Sequence, residues 1–393
     1  MLSVLCCMNF IVNGGRGGYL EHTILNFLYS HEEEIIQDLK CLVDAQASTN
    51  ERQKLNYCRK TLEKLIFDRT GISPNVYKTP NEHDIVWFEF GAGKSSIMLL
   101  GHYDTVHPAG SISYEEIGNK LKGPGIYDMK SGLISAIWTV KSFQNLGIVP
   151  DSKIIVVFNG DEETGSVESK EFISQIARKV KAALVLEPSA GSGDLKTGRK
   201  GMVQMHVSVK GKEAHSGNAH SEGINALEEM AHEIIFAQQL TNYKRGITVN
   251  VGIANGGTRT NVVPGFAEFY VEARAKTRSD LDYIIDTMRS LKVKIPNTYR
   301  ECKIIDKHNP MEETEDTLKL FELAKKCGIP LLLSFSHQIV GGVSDANTIA
   351  ELGVPVLDGL GAVGGDAHSP EEYIWRDKYL PRIGLAASLV LHL

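Results

Sequence analysis

A chain of 393 residues is too long for one ordinary hydrophobic core, so two domains are expected. With 42% hydrophobic and 23% charged residues it reads as a globular protein, and a net charge of −6 without a basic block excludes a nucleic-acid partner. No run nears the roughly 18–20 apolar residues of a membrane span, and cysteines at 6, 7, 41, 58, 302 and 327, with no CxxC pair, suit a reduced, cytoplasmic chain.

MLSVLCCMNFIVNGG, within residues 1–19, is apolar but lacks a basic leader and a small-residue cleavage site. It reads as a ragged extension with a later true start; an export or lipid-anchor signal is the lesser reading. Residues 31–70 carry charged helical periodicity closed by Gly71. IVWFEF (85–90) and SIMLLG (95–101) come next as strands joined by Gly-Ala-Gly-Lys. The join is expected to be a hairpin turn. A phosphate loop, which GKSS suggests, would need a glycine where Phe88 stands and a helix where a strand follows.

MKSGLISAIWTVKSFQNLG (129–147) has helical spacing and Gly147 as its C-terminal stop. The strand KIIVVFNG (153–160), the helical ESKEFISQIARKV and the strand KAALVLEP (181–188) continue the alternation. Strands alternating with helices predict an α/β fold, a mostly parallel sheet covered by helices.

Near Lys200 the pattern changes. MVQMHVSVKG alternates like a half-exposed strand, INALEEMAHEIIFAQQL is a long amphipathic helix, and AEFYVEARA alternates again. This β-α-β-β-α rhythm predicts a small α+β, ferredoxin-like domain at 200–308 with one solvent-facing sheet surface. It would be inserted into a larger domain formed by 20–199 and 309–393. From Asn309 the first rhythm returns, with the helix DTLKLFELAKKCG, then PLLLSF, GGVSDANTIAELG and PVLDGLG.

Residues with chemistry gather where the strands of the larger unit end. His102 and Asp104 follow SIMLLG, Asp128 lies in GPGIYDMKSG, and Asp161, Glu162 and Glu163 follow KIIVVFNG. Glu187 follows KAALVL, and His368 lies in GGDAHSPEEY. In an open α/β sheet, ligands bind beyond the carboxyl ends of the strands. Imidazoles and carboxylates without a thiolate suit a zinc-like divalent ion. Acids crowded in one cleft would repel one another without cations. Any one of these residues alone reads more readily as a turn residue or a cap; it is their gathering at several strand ends that points to a metal.

Taken in order, HYDTV, GPGIYDMKSG, NGDEETGS, LVLEPS, KEAHSG, NVVP…EAR, GGVSDA and HSPEEY resemble the motifs of the M20 metallopeptidase family. The carboxypeptidase G2-like, glutamate carboxypeptidase branch is the one they resemble most. The resemblance implies two zinc ions per subunit, with cobalt or manganese as substitutes. His102, Asp128 and Glu187 would hold one ion, and Asp128, Glu163 and His368 the other. Asp104 would accept the second ring N–H of His102 and fix its tautomer. Glu162 would be the general base and later the acid.

His215 would stabilise the oxyanion, presented by lid closure or by a second subunit. Asn261 and Arg274 would bind the substrate's free carboxylate, and Gly342 would let substrate approach the backbone. Ser344 and Asp345 are less defined. Met129 stands where the family has an acidic or small residue, after a peptide that is often cis in the family.

The implied enzyme is a homodimeric metallo-exopeptidase that releases a C-terminal, acidic amino acid from a peptide or N-acyl conjugate. The long helix and an edge strand of the small domain would form its interface. An N-acyl amino acid deacylase of the acetylornithine or succinyl-diaminopimelate type shares every metal residue and stays open. A dinuclear phosphoesterase is the reading from another class, and the Glu162–Glu163 pair and Arg274 count against it.

Overall fold

The computed structural model describes residues 18–393. The reading of the first residues as an extension lies outside the described residues up to position 17, and Tyr19 already opens a helix. Three helices lead the described residues: α1 (Tyr19–Ser30), α2 (Glu32–Asp44) and α3 (Arg52–Thr70). The last is stopped by Gly71 at φ 68°, a left-handed conformation that glycine adopts without a Cβ penalty.

Next come β1 (Asn75–Tyr77), β2 (Ile85–Phe90) and β3 (Ser95–His102), then the short β4 (Glu115–Ile117) and β5 (Lys120–Lys122). They are followed by α4 (Ser131–Leu146), β6 (Ser152–Asn159), α5 (Lys170–Ala177), β7 (Ala182–Val185) and β8 (Leu195–Arg199).

The inserted stretch then runs through β9 (Gly201–Lys210), β10 (Ala214–His215), α6 (Ala226–Gln239) and β11 (Thr248–Gly256). It continues with β12 (Val262–Val263), β13 (Phe266–Ala275), α7 (Arg278–Ser290) and β14 (Tyr299–His308). Its four-stranded sheet is antiparallel in the order β11-β13-β9-β14. Alternate residues of β9 and β13, among them Val203, Met205, Val207, Phe269 and Val271, share a core with Met230, Leu281 and Ile284 of the two helices. The period-two alternation seen in the sequence is thus one face on helices and one face toward solvent.

The chain returns through α8 (Glu315–Gly328), β15 (His337–Val340), α9 (Asp345–Glu351), β16 (Val356–Leu357), β17 (Gly364–Gly365), β18 (Tyr373–Trp375) and α10 (Arg376–His392). The central sheet has the order β1-β2-β6-β3-β7-β16, parallel from β6 onward. Ile97 and Leu99 of β3 pack into the cluster with α4 and α10, while Met98 and Leu100 pack into the one with α5 and α9. Helices on both faces explain the continuous apolar run.

Two expectations are corrected here. The Gly-Ala-Gly-Lys join is not a hairpin, because β6 lies between β2 and β3 and pairs with both. The join instead crosses the start of β6 so closely that a Cβ at Gly93 would lie 2.0 Å from the Asp151 carbonyl oxygen. PLLLSF, in a strand position of the α/β rhythm, is a short 3-10 turn (Ile329–Leu331) followed by Leu332 at φ 55°. The strand comes later, as β15 on β8.

The two chain crossings between the sheets run side by side. Arg199 N–H donates to the Met311 carbonyl at 2.9 Å, and a Cβ at Gly201 would stand 2.6 Å from the Pro310 nitrogen.

Candidate active site

Register brings the strand ends together. His102 pairs with Asn159 across β3 and β6, and Leu100 pairs with Val185 across β3 and β7. The residues just beyond these strands therefore meet at one edge of the sheet. His102 Nε2 lies 3.2 Å from Asp128 Oδ1, 3.5 Å from Glu187 Oε1 and 3.9 Å from Glu162 Oε2. His368 Nε2 lies 3.2 Å from the other oxygen, Asp128 Oδ2, and 3.4 Å from Glu163 Oε2. Asp128 thus offers one oxygen to each histidine. His102, Asp128 and Glu163 form one compact donor group, and His102, Glu162 and Glu187 another. Asp161, from the same strand end, turns away and accepts the Glu168 and Ser169 N–H groups at 2.8 and 3.2 Å, ahead of α5.

The donors rest on buried supports. His102 Nδ1 lies 3.0 Å from the Asp104 carbonyl oxygen and 3.3 Å from its carboxylate. That carboxylate does more than face the ring. It accepts the Thr49 hydroxyl at 2.8 Å and the backbone N–H groups of Glu162 and Glu163 at 3.3 and 3.1 Å. Asp104 therefore ties the His102 strand end to the turn that carries the two glutamates.

Glu372, which sequence reasoning missed, is 1% exposed and accepts the N–H groups of Gly125, Tyr127 and Asp128 at 3.2, 2.8 and 2.9 Å. His107 Nε2 completes its contacts at 3.0 Å. Its only signal was a place in HSPEEY. Arg199, also missed, is buried between Asp358, to which it donates, and Glu187 Oε2 at 3.4 Å. Beneath the cluster, the Asp128–Met129 peptide is cis, and the buried Met129 methyl fills the space beside Gly101 and Gly132.

The electrostatics suit cations. Burial opposes charge on Asp128, yet hydrogen bonds from His102 and His368 hold its carboxyl well below the usual range. Glu187 is lowered too, since His102 and Arg199 outweigh burial and the charge of Asp128. Burial lifts Glu163, and lifts Glu162 well above the glutamate range, where the charges of Glu187, Asp345 and Glu163 add to it. Glu163 Oε1 is buried without a hydrogen-bond partner among the described residues. An all-imidazole and carboxylate donor set with an orphaned buried oxygen fits divalent zinc.

A cleft of about 460 Å³ opens beside the cluster. Glu162, Glu163 and His368 line it together with Arg274, Gly342, Ser344 and Asp345, the last pushed up to about 7 by burial. Arg274 Nη1 donates to the Gly341 carbonyl at 2.9 Å, and its Nε to Glu272 at 2.7 Å. His215 and Asn261 do not line this cleft. They lie on the β10–β12 side of the inserted sheet, where Ser216 N–H donates to the Asn261 carbonyl at 3.0 Å.

Residues 98–392 match the model of peptidase family M20/M25/M40. The chain belongs to the M20 family. Among its relatives is carboxypeptidase G2 of Pseudomonas sp. (strain RS-16), 28% identical over 91% of this chain and 89% of that protein. Acetylornithine deacetylase of Aliivibrio salmonicida is 26% identical over 77% and 82%. Among solved structures, aminopeptidase PepT of Bacillus cereus shares the fold, with a TM-score of 0.76 at 20% identity, over 91% of this chain and 98% of that one. This M20 chain is a hydrolase of the peptidase and amidohydrolase type.

Proposed function

We propose that this M20 hydrolase cleaves the amide bond that releases a C-terminal, acidic amino acid from a peptide or N-acyl conjugate. The observation that carries this reading is one cleft lined by both Glu162 and Arg274. One divalent ion would be held by His102, Asp128 and Glu187, and a second by Asp128, Glu163 and His368. Such ions, zinc in our reading, supply a water acidified near neutral pH and polarise a carbonyl.

The protein's own groups do the rest. Arg274, with Nε on Glu272 and Nη1 on the Gly341 carbonyl, offers its remaining N–H groups to the substrate's free carboxylate. Glu162, lifted by burial, is suited to take a proton from the attacking water and return it to the leaving nitrogen. His215 accepts the Gly217 and Asn218 N–H groups on Nδ1 at 3.2 and 3.1 Å, which leaves Nε2 to carry the proton. It would donate that proton to the oxyanion from a second copy of the chain, with Asn261 beside it.

Deacylation of an N-acyl amino acid is the second reading, favoured by the likeness to acetylornithine deacetylase. Both readings share the test of Glu162. Glu162→Gln should keep its metal content and lose roughly 10²–10⁴-fold in kcat. Ordinary turnover, or loss of both ions, would remove Glu162 from the role. Comparing amine release from dipeptides and N-acyl amino acids separates the two readings.

A further inference from the structure

Arg274 has a counterpart on the face of the inserted sheet that lines the cleft. In the strand register, Arg274 of β13 pairs with Met202 of β9, and Met202 pairs with His308 of β14. Paired residues of neighbouring strands show their side chains to the same face. Guanidinium, thioether and imidazole therefore form one row, and all three line the cleft with Glu162, Glu163 and His368. The outer two Cα atoms are two strand spacings apart, about 10 Å.

A second row stands behind the first, where Glu272 pairs with Gln204 and Gln204 with Asp306. Glu272 accepts from Arg274 Nε at 2.7 Å, Asp306 Oδ2 faces His308 Nε2 at 3.2 Å, and Gln204 donates to Glu272 at 3.3 Å. Two hydrogen-bonding groups, each oriented by its own acid, thus flank a methionine floor. The His308 ring also reaches the catalytic turn, with Nε2 3.7 Å from where a Cβ of Gly165 would stand.

We propose that His308, oriented by Asp306, is a specificity-determining residue that receives the side-chain carboxylate of the released amino acid. Arg274 holds the α-carboxylate of the same residue, so the preferred substrates are peptidyl or N-acyl derivatives of dicarboxylic amino acids. The inference rests on the reading of the site as one that releases a C-terminal amino acid onto Arg274. Nε2 is taken up by Asp306, which leaves Nδ1 of the ring as the group for a second carboxylate. Lys200 sits close by and is drawn below the ordinary lysine range by partial burial and by the Lys276 and Arg274 cations.

The experiment compares N-acylglutamate with N-acylglutamine, which matches it in length but lacks the second charge. Wild type should prefer the acid. His308→Ala should cut the acid-to-amide ratio of kcat/KM by about tenfold, chiefly through KM, the size of one charge-assisted hydrogen bond. Asp306→Asn, at a half-exposed side chain where folding is not at risk, should cut the ratio in the same direction. Arg274→Ala should weaken both substrates alike and leave the ratio in place. An unchanged ratio in both His308→Ala and Asp306→Asn, or a wild type indifferent to the side-chain charge, overturns the proposal while leaving the C-terminal reading intact. A wild type that releases no amino acid from either substrate overturns the reading of the site and this proposal with it.

Discussion

His368 is half exposed, yet the Asp128 and Glu163 carboxylates beside it push its imidazole up to about 11. His102 is raised as well, because Asp104, Asp128 and Glu187 outweigh its burial. In the metal-free chain the neighbouring carboxylates favour the protonated form of both rings, which must give up that proton to bind a metal. Zinc uptake should therefore release protons, and its apparent affinity should rise with pH. Calorimetry in buffers of different ionisation enthalpy measures this, and a buffer-independent heat would contradict it. For the metal-free fold the sign is also fixed. A folded value above the ordinary 6.5 gives stability that is complete below that pH and fades toward pH 11. Most ligand candidates were legible because they directly follow apolar strands. Arg199 and Glu372 were not, because a buried charge acting on backbone or on another acid leaves no periodicity.

Elements are held by single charges at two places. Glu372 gathers three N–H groups of the Gly125–Asp128 segment, so Glu372→Ala leaves the Asp128 loop without its anchor. Metal affinity should fall roughly 10–100-fold, as for other outer supports of a metal ligand, measured by competition with a chelator. In the inserted stretch, Glu233 of α6 is 1% exposed and pushed up by burial, with Nε of Arg300 on β14 2.9 Å away. Arg300 also donates to the Met288 and Arg289 carbonyls at the end of α7. Arg300→Ala strands a buried carboxyl and should cost about 3–5 kcal/mol in denaturant unfolding. A loss within the scatter of surface substitutions would show that Glu233 simply stays protonated. At this scale the sequence was a good guide to α4, α6, β9 and β13, whose periods are strong. It misled over Gly91–Lys94, since the insertion of β6 between β2 and β3 depends on a pairing partner some sixty residues away, which no local pattern records.

For the whole molecule, the expectation is a homodimer. β11 is an edge strand carrying an exposed Ile253, and α6 exposes Leu227 and Ile235. His215 and Asn261 are removed from the cleft they are proposed to serve, so a second copy has a chemical part to play. Sedimentation should give about twice the 43.2 kDa of one chain. Mixing inactive His215→Ala with inactive Glu162→Gln should restore activity, because one mixed site would be intact. A single-chain mass at micromolar concentration, or no rescue on mixing, would contradict this.

The paired crossings at Gly201 and Pro310 would let the inserted sheet turn as a lever, with its pivot beside the cleft. Arg274, Met202 and His308 sit at the pivot, whereas β9 carries the chain about 30 Å before β10 begins to approach. A ten-degree rotation would move the near row by under about 1 Å and the far end by about 5 Å, from the same strand rise. On the proposed roles, recognition would sit where such a rotation moves least and His215 where it moves most, so a substrate would be sorted before the last catalytic group arrived.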